Sequence, residues 1–351
     1  MDSRQYNPAS GEVTVSIVGD FCPVNRVEKT VLQGHFDMFK DAKAALLNRD
    51  LVIANLECPL TSETQRIKKS GPNLKAQPRS VELLKYLNVN VAALANNHIL
   101  DYGEPGLKDT IKVLADNSIS WVGAELNLEK ARKLVDWSIQ SGLVVSCVSQ
   151  FRFSPGIDEL ARVVERGALG KLLLCDVNLC IHREQDYYDS AVWRNDPRLA
   201  GGGVLMMNGI HLIDVLCSLL GTPQVSAARI ATTRHYLHVE DVASISLVFR
   251  TGLLATLNIT SHASRNYPTT IRLTGSRGQA VLLEYCLVQL EIDGEKQRCA
   301  GRGCSTEQFF RAQLEDFGAA ITRGEPLRTP VEAGLSALQV VHAAYAAAQR
   351  Y

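Results

Sequence analysis

The stretch GGGVLMMNGIHLIDVL, residues 201–216, runs three glycines into an apolar helix pattern on which Asn208, His211 and Asp214 recur at intervals of three. Residues at that spacing share one helix face, and glycines without Cβ let the backbone come close to a ligand. An imidazole of near-neutral pKa on such a stripe can take a proton from a hydroxyl group, with Asn208 or Asp214 fixing its tautomer. The alternative is a histidine satisfied by a backbone carbonyl inside an α/β core.

A second set of chemistry-bearing residues lies at the ends of apolar runs: Asp20 in VGD, Glu57 in ANLE, and Asn97 and His98 in ANNH. In a parallel sheet the carboxyl ends of the strands share one edge, where ligands collect. Carboxylate, amide oxygen and imidazole together suit a divalent metal such as Mn, Fe or Zn. Equally, Asp20 and Glu57 could cap the elements that follow them while Asn96 and Asn97 turn the chain.

Those residues need a sheet to hold them. VTVSIVGD (13–20), LVIANLE (51–57), NVAALANN (90–97), ISWVG (119–123) and LVVSCVS (143–149) are runs of strand length. Helical patterns at 36–48, 80–88, 104–116 and 127–141 fall between them, and Leu128, Ala131, Leu134, Val135 and Ile139 predict one buried stripe on the last. The expectation is a layer of about five parallel strands with flanking helices in Rossmann-like order. Beyond residue 170, runs such as KLLLCDVNLCIHR, VASISLVFR, LLATLNITSHA and TTIRLTG follow one another through tight turns, which predicts an α+β domain with an open, largely antiparallel sheet. Two helices close the chain: one opens with Ser305 three residues before Gln308 and stops at Gly324, and the other follows Pro330.

Bulk composition narrows the function classes. With 351 residues and 46% apolar content the chain can build two domains, and Lys+Arg and Asp+Glu both total 37 without a basic stripe, which argues against a nucleic-acid partner. The opening MDSRQYNPASGEV lacks an apolar leader and no run of eighteen apolar residues follows, so a cytoplasmic location without a membrane partner is expected. The nine cysteines form no CxxC pair and sit mostly in apolar runs, as reduced core thiols do.

VGDFCP, VIANLECPLTS and VAALANNHILDYGEPGLKDTIKVLADNSISWVGA together resemble the leading part of the CapA family of capsule biosynthesis proteins, related to metallophosphoesterases, over residues 1–128 at most and most clearly 13–128. The resemblance implies that Asp20, Glu57, Asn97 and His98 are metal-site residues with Asp101 behind them, at an incomplete site, because the family's further histidine ligands do not follow here.

From residue 129 to 351 the sequence resembles the substrate-binding half of the Gfo/Idh/MocA oxidoreductases, on SQFRFSPGIDELARVV, YYDSAVWRNDPRLAGGG, DVASISLVFRTG, IRLTGSRG and QLEDFGAAITRGEPL. That resemblance implies NAD(P), a sugar or nucleotide-sugar substrate, a homo-oligomer, His211 with Asn208 and Asp214 as the catalytic group, and Arg152, Tyr187, Tyr188, Trp193 and Arg194 as substrate contacts. Three departures accompany it. No G-x-G-x-x-G turn follows the first strand, which continues as GDFCPVNR; the positions of the family's Glu-Lys-Pro segment hold Trp121, Val122 and Gly123; and Met207 stands where an Asp or Asn precedes the histidine by four. The chain therefore reads as a sugar oxidoreductase-type protein with impaired NAD(P) use, a metal-dependent capsule or exopolysaccharide protein, or a sugar-binding oligomer without turnover.

Overall fold

The computed structural model describes residues 14–67, 72–96, 98–123, 128–141, 144–190, 192–233, 236–299 and 305–348. The chain divides into two compact units, Met1–Glu125 with Asp189–Val192, and Leu126–Tyr188 with Trp193–Tyr351.

The first unit alternates strand and helix: β1 (Val15–Phe21), α1 (Arg26–Leu32), α2 (Lys40–Leu46), β2 (Leu51–Leu56), α3 (Val81–Tyr86), β3 (Val91–Ala93), α4 (Gly103–Asp116) and β4 (Ser120–Val122). All pairs are parallel. On β2 the period of two puts Val52, Ala54 and Leu56 out of solvent, and Leu84, Ala92 and Leu114 complete that core.

The parallel sheet with flanking helices is as expected, and its strands follow one another in the order β1-β2-β3-β4. One expectation is corrected: among the described residues this sheet has four strands and not about five, because the apolar run at 143–149 makes a single bridge, Ser146 to Pro330. Proline has no amide to extend a ladder, and Val144 and Val148 stay exposed.

The second unit begins with α5 (Leu128–Ser141), α6 (Pro155–Glu165), β5 (Leu172–Cys180), α7 (Gln185–Asp189), α8 (Pro197–Ala200) and α9 (Ile210–Leu220). Then come β6 (Gln224–Ala231), β7 (Val242–Val248), β8 (Leu254–Thr260), β9 (Thr270–Gly275), β10 (Gly278–Leu283), β11 (Cys286–Ile292), β12 (Glu295–Lys296), α10 (Thr306–Arg323) and α11 (Val331–Ala348). Among the described residues the eight strands of this unit lie in the order β12-β11-β10-β9-β5-β8-β7-β6, antiparallel except for the β5–β8 pair.

Alternation along these strands sends Val177, Ile245 and Leu257 into one core with Leu212, Ile213, Val215 and Leu216 of α9 and Val341 of α11. The other face is polar: Thr256 donates to Asp176 at 3.0 Å and Ser244 to Asn258 at 2.7 Å. The α5 stripe is corrected too, since Val135 is buried but Leu134 and Ile139 are 43% and 68% exposed. At α10 the capping box of Ser305 and Gln308 forms, and Gly324 ends the helix in the left-handed region. Among the described residues no helix is long and apolar enough to cross a membrane.

Candidate functional site

The glycine run serves the chain itself. A Cβ on Gly203 would lie 1.9 Å from the carbonyl oxygen of Glu240, and one on Gly202 would lie 1.9 Å from the Tyr345 hydroxyl. These contacts correct the expectation that the glycines make room for a ligand. The buried Glu240 carboxylate accepts the amides of Gly203 (2.7 Å) and Leu205 (3.0 Å) and the Tyr345 hydroxyl (2.8 Å), while its carbonyl accepts the Val204 amide. It therefore satisfies amides that the start of a helix leaves without intrahelical partners.

From that clamp the chain enters a π-turn, Leu205–Gly209, before α9. Such wide turns are frequent at functional sites. Asn208 lies in this turn, half-buried, and His211 one residue into α9.

The imidazole of His211 meets the Phe151 ring edge-on at 5.6 Å, and Phe151 stacks on Tyr285 at 4.1 Å. Burial holds the His211 pKa below the ordinary 6.5, with the Asp214 carboxylate pulling weakly the other way. The ring is therefore neutral near pH 7, as a proton acceptor must be.

Asp214 does not orient the imidazole by a hydrogen bond. Both its carboxylate oxygens accept from Arg152, at 2.8 Å from Nε and 2.6 Å from Nη2, and both side chains are buried. Arg152, expected among the substrate contacts, is thus committed to an internal pair that ties the segment before α6 to α9.

Tyr188 is likewise internal, 2% exposed with its hydroxyl 2.6 Å from Ser261 Oγ. Tyr187 lies at a wider station: Arg194 stacks on its ring at 4.5 Å and Arg183 at 5.2 Å, and Arg194 also donates to the Tyr187 carbonyl at 3.2 Å. Met207 and Tyr187 both pack against the Tyr188, Leu237 and Val239 cluster, which joins the arginine–tyrosine stack to the turn that bears Asn208. Sequence reading passed over Arg183; its signal is the spacing of four to Tyr187 in HREQDYY, where α7 begins at Gln185. The side chain of Trp193, and Asn97, lie outside the described residues.

In the first unit, His98 Nδ1 lies 2.8 Å from Asp101, whose buried carboxylate also accepts the Leu74 amide at 2.6 Å. Asp20 accepts from Asn55 at 2.8 Å. Among the described residues no three His, Cys, Asp or Glu side chains are placed to hold a metal ion. Among the described residues Asp20, Glu57 and His98 are thus not gathered as the three ligands of a metal site.

The turn after β1 is not glycine-rich: Phe21 and Pro23 are buried there, Pro23 has no amide, and the Val24 and Val27 amides already donate to the Cys22 and Val24 carbonyls. A diphosphate cradle needs free amides at a glycine turn. Where the family carries its lysine segment, Gly123 takes φ 85°, and any Cβ there would meet Ala95 at 2.6 Å.

Residues 14–158 match the family model of the bacterial capsule synthesis protein PGA_cap, and residues 157–281 that of the GFO/IDH/MocA C-terminal domain. The PGA biosynthesis protein CapA of Bacillus subtilis (strain 168) is 31% identical over 137 residues, which are 38% of this chain and 36% of that protein. The trans-1,2-dihydrobenzene-1,2-diol dehydrogenase of Mus musculus is 25% identical over 234 residues, 64% of each chain. In shape, the WlbA dehydrogenase from Bordetella pertussis, solved in complex with NADH and UDP-GlcNAcA, superposes with a TM-score of 0.66 at 19% identity over 97% of both chains. This chain therefore joins a capsule-type segment to a GFO/IDH/MocA-type domain, and it spans only 36% of the length of the Bacillus subtilis protein.

Proposed function

We propose that the second unit binds a sugar carrying an anionic group, of the sugar-acid or nucleotide-sugar class, and that His211 accepts a proton from one of its hydroxyl groups. The observation that carries this reading is the Arg183–Tyr187–Arg194 stack, coupled through Met207 to the turn of Asn208 and the neutral His211. Guanidinium planes bind carboxylate and phosphate in forked geometry, and an aromatic ring covers a sugar face. The UDP-GlcNAcA held by the Bordetella pertussis dehydrogenase supports the same ligand class. Asn208 then orients the sugar or the imidazole, and Tyr188, Arg152 and Asp214 position the site from within.

Use of NAD(P) is impaired in this reading, since the β1–α1 turn lacks a glycine run and its Val24 and Val27 amides are already committed; no hydride step is assigned. A cytoplasmic homo-oligomer, paired through the polar face of the eight-stranded sheet, belongs to the same proposal. Calorimetric titration with UDP-glucuronic acid, glucuronic acid and NADH tests it. Binding of either sugar, weakened about tenfold by Arg194→Ala and little changed by His211→Gln, is the expected result. Failure of both sugars to bind removes the reading, and micromolar NADH binding removes the impairment.

The match over residues 14–158 favours a second reading, a role in capsule or exopolysaccharide synthesis with Asp20 and Glu57 on a divalent metal. Purified protein without Mn, Fe or Zn, and without phosphoester cleavage after supplementation, counts against it.

A further inference from the structure

Two cysteines stand at the strand ends of the first unit without a part in either reading. Cys22 directly follows β1 and Cys58 lies two residues beyond β2, on neighbouring strands whose register pairs Phe21 with Leu56. The Glu57 amide donates to the Phe21 carbonyl at 3.0 Å, which carries the ladder one residue further. Beyond that bond Cys22 and Cys58 continue the two neighbouring strand ends, and each thiol is the strongest influence on the other, holding the Cys22 pKa down and the Cys58 pKa up. Both are free thiols; Cys58 is 0% exposed in the core, whereas Cys22 is half-buried.

We propose that Cys22 and Cys58 form a hydroperoxide-reactive dithiol that closes to a disulfide across the β1 and β2 ends. Their unequal exposure sets the order of events. Cys22, half-buried, is the sulfur nearer to a solvent-borne peroxide, and Cys58 is shielded from solvent. In the first step the Cys22 sulfur attacks one oxygen of the hydroperoxide. The O–O bond breaks, the alkoxide leaves and takes the thiol proton, and Cys22 becomes a sulfenic acid. In the second the Cys58 sulfur displaces hydroxide from Cys22. The S–S bond forms as the S–O bond breaks, and the Cys58 proton completes a water molecule. Two electrons pass from the dithiol to the hydroperoxide, which becomes alcohol and water.

The bond would tie together the strand ends that carry Asp20 and Glu57, so oxidation rigidifies that rim. The remaining thiols act as an internal comparison, because Cys175 and Cys217 are buried within the second unit's core or against it.

The test treats the reduced full-length protein with one equivalent of hydrogen peroxide, then alkylates and digests it with trypsin. Cleavage at Arg26, Arg49 and Arg66 leaves Cys22 and Cys58 in separate peptides. The expected product is those two peptides joined, lighter than their sum by two hydrogen atoms. Cys58→Ser should accumulate a dimedone-reactive sulfenic acid at Cys22, and Cys22→Ser should slow peroxide consumption about tenfold. Recovery of both residues alkylated while other cysteines oxidise, or a disulfide from either to a third cysteine, overturns the proposal. Should the buried Cys58→Ser variant fail to fold, the mapping of the unaltered protein decides alone.

Discussion

At His211, burial keeps the ring neutral and so leaves one nitrogen as an acceptor, while Asp214, which with Asn208 was expected to fix the tautomer, is held by Arg152. Its folded pKa lies below the unfolded 6.5, so between the two values the unfolded chain holds the extra proton. Stability from this group is therefore present above pH 6.5 and falls as the pH drops toward the folded value. NMR titration of the imidazole should give a midpoint below 6.5, and His211→Gln should melt with a shallower acid dependence than the parent. The Arg152–Asp214 pair makes a second residue-scale prediction. Removing either partner alone, as Arg152→Met or Asp214→Leu, leaves a buried charge and should cost about 3–5 kcal/mol in urea unfolding. The double variant should lose less than the sum, since neither charge is then left alone. The pattern of three separating Asn208, His211 and Asp214 was legible in the sequence. What Asp214 touches was not, because its partner lies 62 residues away.

Among the elements, the entry to α9 depends most on small side chains. Gly203→Ala forces a methyl into the Glu240 carbonyl and should destabilise the protein by more than about 3 kcal/mol, read from chemical denaturation. Gly318, inside α10 with open space around it, gives the opposite sign: Gly318→Ala should stabilise by about 0.5–1 kcal/mol. The caps of α10 were legible because they are local, a serine and a glutamine three residues apart and a glycine past the end. The β10–β11 hairpin was not, since its turn is built from Glu284 and Tyr285 at φ 47° and 62°, where glycine or asparagine is the usual signal. In the same way LVVSCVS has the composition of a strand, yet a strand needs a partner, and here the partner begins with Pro330.

For the whole molecule, two separate apolar clusters, one around Leu56, Leu84 and Leu114 and one around Leu216, Val177 and Leu257, predict two heat-absorption peaks in calorimetry. A single cooperative peak with equal calorimetric and van't Hoff enthalpies would contradict that. The change from alternating strands and helices to consecutive strands could be read directly along the chain, because period and length are properties of neighbours in sequence. So could the helix caps and the absence of a glycine cradle after β1. Only the tertiary structure decided the sequential strand order, the commitment of Arg152 to Asp214 and of Gly203 to Glu240, and the meeting of Arg183 and Arg194 on one tyrosine ring. Periodicity tells a side chain which face it occupies, whereas its partner there is chosen by how distant segments pack.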